Sequence, residues 1–319
     1  MRVFVTGGAG FIGSGYVRHV LASTDDEVTV YDALTYAGNL STLRDVDDSP
    51  RYRFVKGDIC DPGTLEEAMA GHDAVVHLAA ESHVDRSIAG PDDFVNTNCF
   101  GTNIVMDTAR RLEIARVVHV GTDEVYGSVE VGSSHEDDPL APRSPYSASK
   151  AGSDLIALSY FHTYGLPVVV TRCTNNFGPF QFPEKAIPLF ITNLLDGEAL
   201  PLYGDGLHER DWLFVDDHCA ALQLVRERGV AGEIYNVGAG NETPNRVLVD
   251  KLLALHGAGE EMLRYVEDRK GHDRRYSVDT GKVAGLGWQR RRTLDEALEE
   301  TVAWYRDNRW WWEPLKAAP

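Results

Sequence analysis

Arg2-Val3-Phe4-Val5-Thr6-Gly7-Gly8-Ala9-Gly10-Phe11-Ile12-Gly13 opens the chain, and its reading decides the fold. Arg2 to Thr6 is a short β run, and a helical pattern extends from Ile12 towards Leu21. Gly7, Gly10 and Gly13 fall in the turn between them. One glycine suits a tight turn, one lets the backbone approach a pyrophosphate, and one lets the helix pack close on the strand. The start of the helix then offers free N–H groups and a favourable dipole to phosphates. A glycine-rich turn alone decides little, but this one has a strand before it and a helix after it.

Further strands follow at Glu27–Asp32, Phe54–Ile59, Ala74–Ala80, Arg116–Val120 and Pro167–Arg172. Strand and helix alternate over about 170 residues, which predicts an α/β doubly wound parallel sheet of the Rossmann type. Asp32 ends the second strand. A carboxylate there accepts from both ribose hydroxyls and repels a 2′-phosphate, which points to NAD over NADP. Asp58 and Ile59 are placed to flank an adenine. Leu78, Ala79 and Ala80 let the backbone lie close to a cofactor. His77, inside an apolar run, reads as a packed core residue.

The fifth strand runs into Val120-Gly121-Thr122-Asp123-Glu124-Val125-Tyr126-Gly127. Ligands of open α/β sheets sit outside the carboxyl ends of the strands, so a hydroxyl and two carboxylates stand where a ligand should lie. A helix then begins at Pro142-Arg143-Ser144-Pro145-Tyr146, with Ser144 as N-cap and Pro145 in its first position. Tyr146 and Lys150 are four residues apart on one face of it. Beside a nicotinamide, a tyrosine can take the proton of a sugar hydroxyl while hydride leaves the same carbon. A nearby ammonium favours the phenolate. Oxidation acidifies the neighbouring C–H, so a second base and an acid can eliminate water; two carboxylates in unlike environments can divide those tasks.

After Asn175-Asn176-Phe177-Gly178-Pro179 the rhythm breaks. The sequence predicts an NAD-binding domain over 1–175 and a mixed α/β substrate lobe over 176–319, with the chain crossing between them. The lobe carries the aromatic loop Phe180–Lys185 and basic residues at Arg210, Arg269, Lys270, His272, Arg274 and Arg275.

Composition bounds the rest. The 319 residues are 43% hydrophobic and 25% charged, an ordinary globular mixture. A net charge of −18 demotes nucleic-acid binding and leaves an anionic substrate in need of a local basic pocket. No apolar run has transmembrane length, and the N-terminus lacks a signal-peptide layout. Cys60, Cys99, Cys173 and Cys219 form no metal pattern and read as buried reduced thiols of a cytoplasmic protein. No metal site is expected.

Motifs spread nearly end to end carry a resemblance. They are Gly7 to Gly13, Leu78-Ala79-Ala80-Glu81-Ser82-His83-Val84-Asp85-Arg86-Ser87, Thr122 to Gly127, Tyr146 to Lys150, Asn175-Asn176, Pro183-Glu184-Lys185, Arg210-Asp211-Trp212 and Gly271 to Tyr276. With these, the chain resembles the dTDP-glucose 4,6-dehydratases, extended short-chain dehydrogenases/reductases. The resemblance implies tightly bound, recycled NAD and the substrate dTDP-glucose. Tyr146 would be the base for the C4 hydroxyl, with its pKa lowered by Lys150. Thr122 would hydrogen-bond that hydroxyl, Glu124 would remove the C5 proton, and Asp123 would protonate the leaving C6 hydroxyl. It further implies cofactor contacts at Phe11, Ile12, Ala33, Leu34, Thr35, Ser82, Thr97 and Asn176. Substrate contacts are implied at Ser82, His83, Asn175, Lys185, Pro201, Tyr203, Arg210, Asn245, Arg269 and His272.

The Asp-Glu pair sets this family apart from its epimerase and decarboxylase relatives. Lys270, where many relatives carry proline, and the tail Arg309-Trp310-Trp311-Trp312 resemble the enzymes of bacterial secondary-metabolite deoxysugars. A homodimer joined through the helices around Asn98–Leu112 and Ser149–Tyr164 is also implied. Two alternatives stand beside this reading. One is a nucleotide-sugar 4-epimerase or a UDP-sugar decarboxylase or dehydratase on the same fold. The other is a non-catalytic NAD-binding regulator, which would have no need of Tyr146, Lys150 and both carboxylates.

Overall fold

A computed structural model describes residues 1–269 and 271–317; Lys270 lies outside the described residues. Six strands come from residues 2–173: β1 (Arg2–Thr6), β2 (Glu27–Asp32), β3 (Tyr52–Lys56), β4 (Ala74–His77), β5 (Arg116–Thr122) and β6 (Val168–Cys173). A seventh, Ile234–Val237, joins the same sheet beyond β6. The order across the sheet is Ile234–Val237, β6, β5, β4, β1, β2, β3, and every pairing is parallel. Chain direction across the sheet reverses between β1 and β4, where the rule for open sheets places a ligand.

The strands read as apolar runs because both faces are covered. On one face, Val5, Val30 and Val118 pack with Tyr16, Val17 and Val20 of the helix Phe11–Ser23 and with Leu222 of the helix Val215–Arg228. On the other, Phe4, Val75 and Val117 pack with Met106 and with Ala157 of the helix Pro145–Tyr164. A separate core of Phe177, Ile191, Leu248, Leu298, Trp311 and Trp312 holds the lobe of later residues, so two of the three tail tryptophans pack into it while Trp310 is exposed.

Two strands stop sooner than their apolar runs. The third runs Tyr52–Lys56 because the Asp58 carboxylate turns back to accept from the Cys60 N–H at 2.8 Å. The fourth ends at His77 because the Leu78 and Ala79 N–H groups both turn to the Thr6 hydroxyl, each at 3.2 Å. His77 is buried in the core as expected, hydrogen-bonded to Thr6 (2.7 Å) and Thr102 (3.0 Å). All four cysteines are free thiols. Cys173 and Cys219 are buried, but Cys60 and Cys99 are only half-buried, because the segment Val95–Gly101 that flanks them lies near the surface. Among the described residues, no helix is long and apolar enough to cross a membrane.

Candidate active site

The turn after β1 obeys the steric logic of its glycines. Gly7 has φ +69°, and a Cβ there would stand 2.6 Å from the Ala79 nitrogen. The helix Phe11–Ser23 starts at Gly10 with no side-chain cap, which leaves its first N–H groups for a ligand. At the end of β2, Asp32 accepts from the Ala9 N–H (2.9 Å) and the Leu34 N–H (2.8 Å), so its carboxylate is fixed in place. These features fit an adenosine diphosphate with a free ribose.

One cavity of about 500 Å³ starts at this turn, passes the ends of β4, β5 and β6, and continues into the lobe. Its wall contains Gly7, Asp32, Thr97, Thr122, Asp123, Glu124, Tyr146 and Lys150, and it contains Asn175, Lys185, Tyr203, Arg210, Asn245 and His272. The remaining expected site residues line it too, with one exception. Leu34 adopts φ +56°, which turns its side chain onto the sheet core; it gives the site its N–H only.

The wall also holds residues to which the sequence assigns no role in the site. Trp311 arrives from the C-terminal tail, while Trp212, Gln181 and Glu81 come from elsewhere in the chain. Gln181 lies in the aromatic loop Phe180–Lys185, and Glu81 and Trp212 lie within the motifs Leu78–Ser87 and Arg210–Trp212, so only Trp311 carries no local signal of a site. Around this cavity Asp123 Oδ2, Asn175 Oδ1, Asn245 Oδ1, Gln181 Oε1 and the indole nitrogens of Trp212 and Trp311 are buried without a partner among the described residues. Folded proteins leave few such atoms, so their convergence marks a polar ligand.

Thr122 ends β5 and caps the 3₁₀ turn Asp123–Tyr126: its hydroxyl accepts from the Glu124 N–H at 3.3 Å. The same hydroxyl donates to Asp123 Oδ1 at 3.2 Å. Asp123 is 2% exposed, and burial, with Glu124 alongside, holds its carboxyl well above the usual carboxylate range. Burial raises Glu124 too, partly offset by Arg269, Arg210 and Lys185. The two neighbours therefore sit in unlike fields, one facing carboxylates and the other facing cations.

Ser144 and Ser147 form a capping box that starts the helix Pro145–Tyr164, with Pro145 in its first turn. Tyr146 and Lys150 both reach the cavity. The Lys150 ammonium donates to the Val120 carbonyl at 2.7 Å. Burial and the Glu124 charge hold Tyr146 well above the usual phenol range, against the help of the Thr122 hydroxyl. In the chain by itself the Lys150 ammonium is held on Val120, and burial with the neighbouring Glu124 carboxylate raises the phenol. Asn98, in the wide turn Val95–Gly101, donates to Ser149 at 2.8 Å and accepts from the Glu81 N–H at 2.9 Å. It ties the loop after β4 to the helix of Tyr146.

At the lobe end, Asp268 binds His272 (2.6 Å) and His208 (3.4 Å), whose rings stack 3.8 Å apart. Burial lowers both histidines, and Arg210 lowers them further, with Arg274 acting on His208 and Arg269 on His272. Of the basic cluster, Arg210, Arg269 and His272 face the cavity, whereas Arg274 pairs with Asp205 and Arg275 with Glu209.

Fold and site together define a short-chain dehydrogenase-type enzyme of the nucleotide-sugar class. Over residues 4–301 the chain matches the family described as GDP-mannose 4,6 dehydratase, and it belongs to that family. It is 56% identical to the dTDP-glucose 4,6-dehydratase of Streptomyces griseus over 99% of this chain and 98% of that one. Its fold is similar to the crystal structure of DesIV, a dTDP-glucose 4,6-dehydratase from Streptomyces venezuelae, with NAD and TYD bound. The two share 56% identity and a TM-score of 0.97, over 99% of this chain and 100% of that one. A UDP-glucose 4-epimerase from Thermotoga maritima with UDP-glucose is also similar, at 30% identity and a TM-score of 0.90, over 96% of this chain and 99% of that one. The resemblance drawn from the motifs holds.

Proposed function

We infer that this protein is a dTDP-glucose 4,6-dehydratase that carries NAD and forms dTDP-4-keto-6-deoxyglucose. One observation carries the reading: two adjacent carboxyls line the cavity in unlike surroundings, Asp123 buried with its Oδ2 unpartnered and raised by burial and by Glu124, and Glu124 facing Arg269, Arg210 and Lys185. A 4-epimerase on this fold, as in the Thermotoga relative, needs a tyrosine and a lysine but no such split pair.

Residues Gly7, Gly10 to Gly13, Asp32, Ala33, Thr35, Asp58, Ile59, Leu78 to Ala80, Ser82, Thr97 and Asn176 would hold the cofactor. Bound NAD supplies a hydride acceptor, a hydride donor for the return step, and a positive charge that favours the Tyr146 phenolate. Tyr146 takes the proton of the sugar C4 hydroxyl as that carbon is oxidised, and Thr122 orients the hydroxyl. Glu124 then removes the acidified C5 proton. Asp123 protonates the C6 hydroxyl, which leaves as water. When C6 is reduced, Glu124 returns its proton to C5. The proton gained by Tyr146 balances the one given by Asp123, so the sugar loses one water and the cofactor ends as it began. Lys185, Arg210, Arg269 and His272 supply the local positive charge for the pyrophosphate, with Ser82, His83, Asn175, Pro201, Tyr203 and Asn245 completing the substrate wall.

The division of labour is an NAD-binding region over 1–175 and a sugar-nucleotide region over 176–319. The protein works as a cytoplasmic homodimer. Support for the dimer comes from Phe100, Leu155 and Tyr164, large exposed side chains on or beside the helices Thr102–Arg111 and Pro145–Tyr164. Light scattering on the purified protein reads this directly, and Leu155→Arg should yield monomer.

The function is tested by incubating the protein with dTDP-glucose and no added cofactor, and following product mass. Loss of one water without net cofactor reduction is expected. An unchanged mass with a galactose-configured product would make it an epimerase.

A further inference from the structure

A cofactor that is oxidant and then reductant in one turnover must stay in the cavity between the two steps. Three segments meet over that cavity: the loop of residues 33–39 after β2, residues 82–86 that enter the short helix Val84–Ala89 after β4, and the loop of residues 180–185 from the later half of the chain. The Arg86 guanidinium lies 3.9 Å above the Tyr36 ring, and its Nε is 3.4 Å from Glu184 Oε2. Tyr36 meets Phe182 edge-on, with 5.7 Å between ring centroids. Lys185 Nζ donates to the Ser82 carbonyl at 3.1 Å. One arginine thus touches an aromatic of the ribose-side loop and a carboxylate of the sugar-side loop. Thr35, Ser82, Phe182 and Glu184, beside these contacts, line the cavity itself.

The sugar-side loop is braced from behind. Phe180 holds φ +66°, a left-handed conformation that a bulky residue adopts only when its surroundings enforce it. The Arg18 guanidinium of the helix Phe11–Ser23 lies 4.4 Å over its ring. Trp304 and Trp311 close on it at 4.5 and 5.5 Å between centroids. The loop is therefore pinned to the dinucleotide half by Arg18 at one end and through Arg86 and Tyr36 at the other.

We propose that Arg86, acting through Tyr36, Phe182 and Glu184, is the clasp that keeps NAD in its cavity between turnovers. The inference rests on the reading of this cavity as an NAD site. These are positioning residues: they stand apart from the Thr122–Glu124 turn and from Tyr146 and Lys150. Arginine suits the place because its flat cation can stack on a ring and pair with a carboxylate at once.

The test compares parent, Arg86→Lys and Arg86→Ala proteins after repeated gel filtration. Bound NAD is extracted and quantified per chain, and its exchange with isotopically labelled NAD is followed by mass spectrometry. The parent is expected to retain NAD. Arg86→Ala should lose most of it and exchange about tenfold faster, the effect of losing one stacked and paired cation. Arg86→Lys, which keeps the charge and loses the flat stack, should fall between. With saturating NAD added, Arg86→Ala should turn over near the parent rate. A clasp variant keeps the melting temperature of the NAD-stripped parent, whereas a folding defect lowers it when neither protein holds NAD. Should Arg86→Ala fail to fold, Phe182→Leu removes the edge contact, leaves the ion pair, and reads the same exchange. Parent-like retention and exchange in the variants overturns the clasp. A parent that takes up no NAD overturns the site reading itself.

Discussion

The Thr122 hydroxyl donates to Asp123 Oδ1, while Asp123 Oδ2 is buried in the cavity wall without a partner among the described residues. An ionised carboxylate would be costly there, whereas a carboxylic acid can leave its O–H on the free oxygen and present it to a substrate. Asp123→Asn keeps the shape and removes the transferable proton. Water loss should slow by about 10²–10⁴-fold, the usual weight of a general acid, while C4 oxidation continues. Stopped-flow absorbance at 340 nm, where reduced nicotinamide absorbs, should then show a transient that the parent does not accumulate. Parent-rate turnover by Asp123→Asn would remove Asp123 from the acid's role.

Glu124 shapes two steps at once. As the C5 base, its loss in Glu124→Gln should abolish deuterium incorporation at C5 in D₂O. Its negative charge also raises Tyr146, after burial. Removing that charge should lower the Tyr146 pKa, so the phenolate forms at lower pH. In single-turnover C4 oxidation, the acidic limb of the pH profile should therefore move to lower pH in Glu124→Gln. An unmoved limb would mean that the two side chains are not coupled.

These two predictions use residues whose chemistry was readable in advance, and the reason is local. Gly7 to Gly13, the Ser144 cap with Pro145, and Thr122-Asp123-Glu124 each act within a few positions of one another, so spacing carries the information. The strand Ile234–Val237 was not recognised, because four residues with a polar Asn236 make no periodic signal until β6 lies beside them. Trp311 reaches the cavity from the tail and Leu34 turns away from it. Both outcomes depend on what packs against them, and not on their neighbours in the chain. The surroundings of Tyr146 are legible only in part for the same reason: a spacing of four residues brings Lys150 to the same face, but Val120, which holds the ammonium, and Glu124, beside the phenol, come from another stretch of chain.

Beneath the site, Arg172 Nε donates to Asp154 Oδ2 at 2.9 Å, and Arg172 Nη1 donates to the Tyr126 hydroxyl at 2.7 Å. Burial would raise the Asp154 carboxyl, but His119 and Arg172 outweigh it and hold the group below its ordinary value. Tyr126 follows the Asp123-Glu124 turn, and Ser153, bonded to His119, follows Lys150 on its helix. Arg172→Met strands a buried carboxylate and should cost about 3–5 kcal/mol in urea unfolding. Adding Asp154→Leu should recover part of that loss, since the orphaned charge goes with it. A single variant as stable as the parent would show that Asp154 is not charged in the fold.

His218 makes acid stability testable at one residue. It is fully buried, its Nδ1 lies 2.9 Å from Asn176 Oδ1, and burial drives its pKa from 6.5 to about 3. Bonding to a carbonyl oxygen makes Nδ1 the donor, so the ring is the neutral Nδ1–H form. In the unfolded chain the same ring takes a proton below about pH 6.5. Between pH 6.5 and about 3 the unfolded state thus binds a proton that the folded state refuses, and stability falls as pH falls through that window. The slope from one such group approaches about 1.4 kcal/mol per pH unit. His77 and His119 are buried and lowered in the same direction, so the parent should lose stability with more than one proton's steepness. His218→Gln keeps an amide donor for Asn176 and removes one titrating group. Between about pH 6.5 and 5 it should lose about 2 kcal/mol less unfolding free energy than the parent, read from paired urea titrations. Parallel losses in the two proteins would mean that His218 accepts its proton without unfolding, and that its hydrogen bond to Asn176 does not hold the ring neutral.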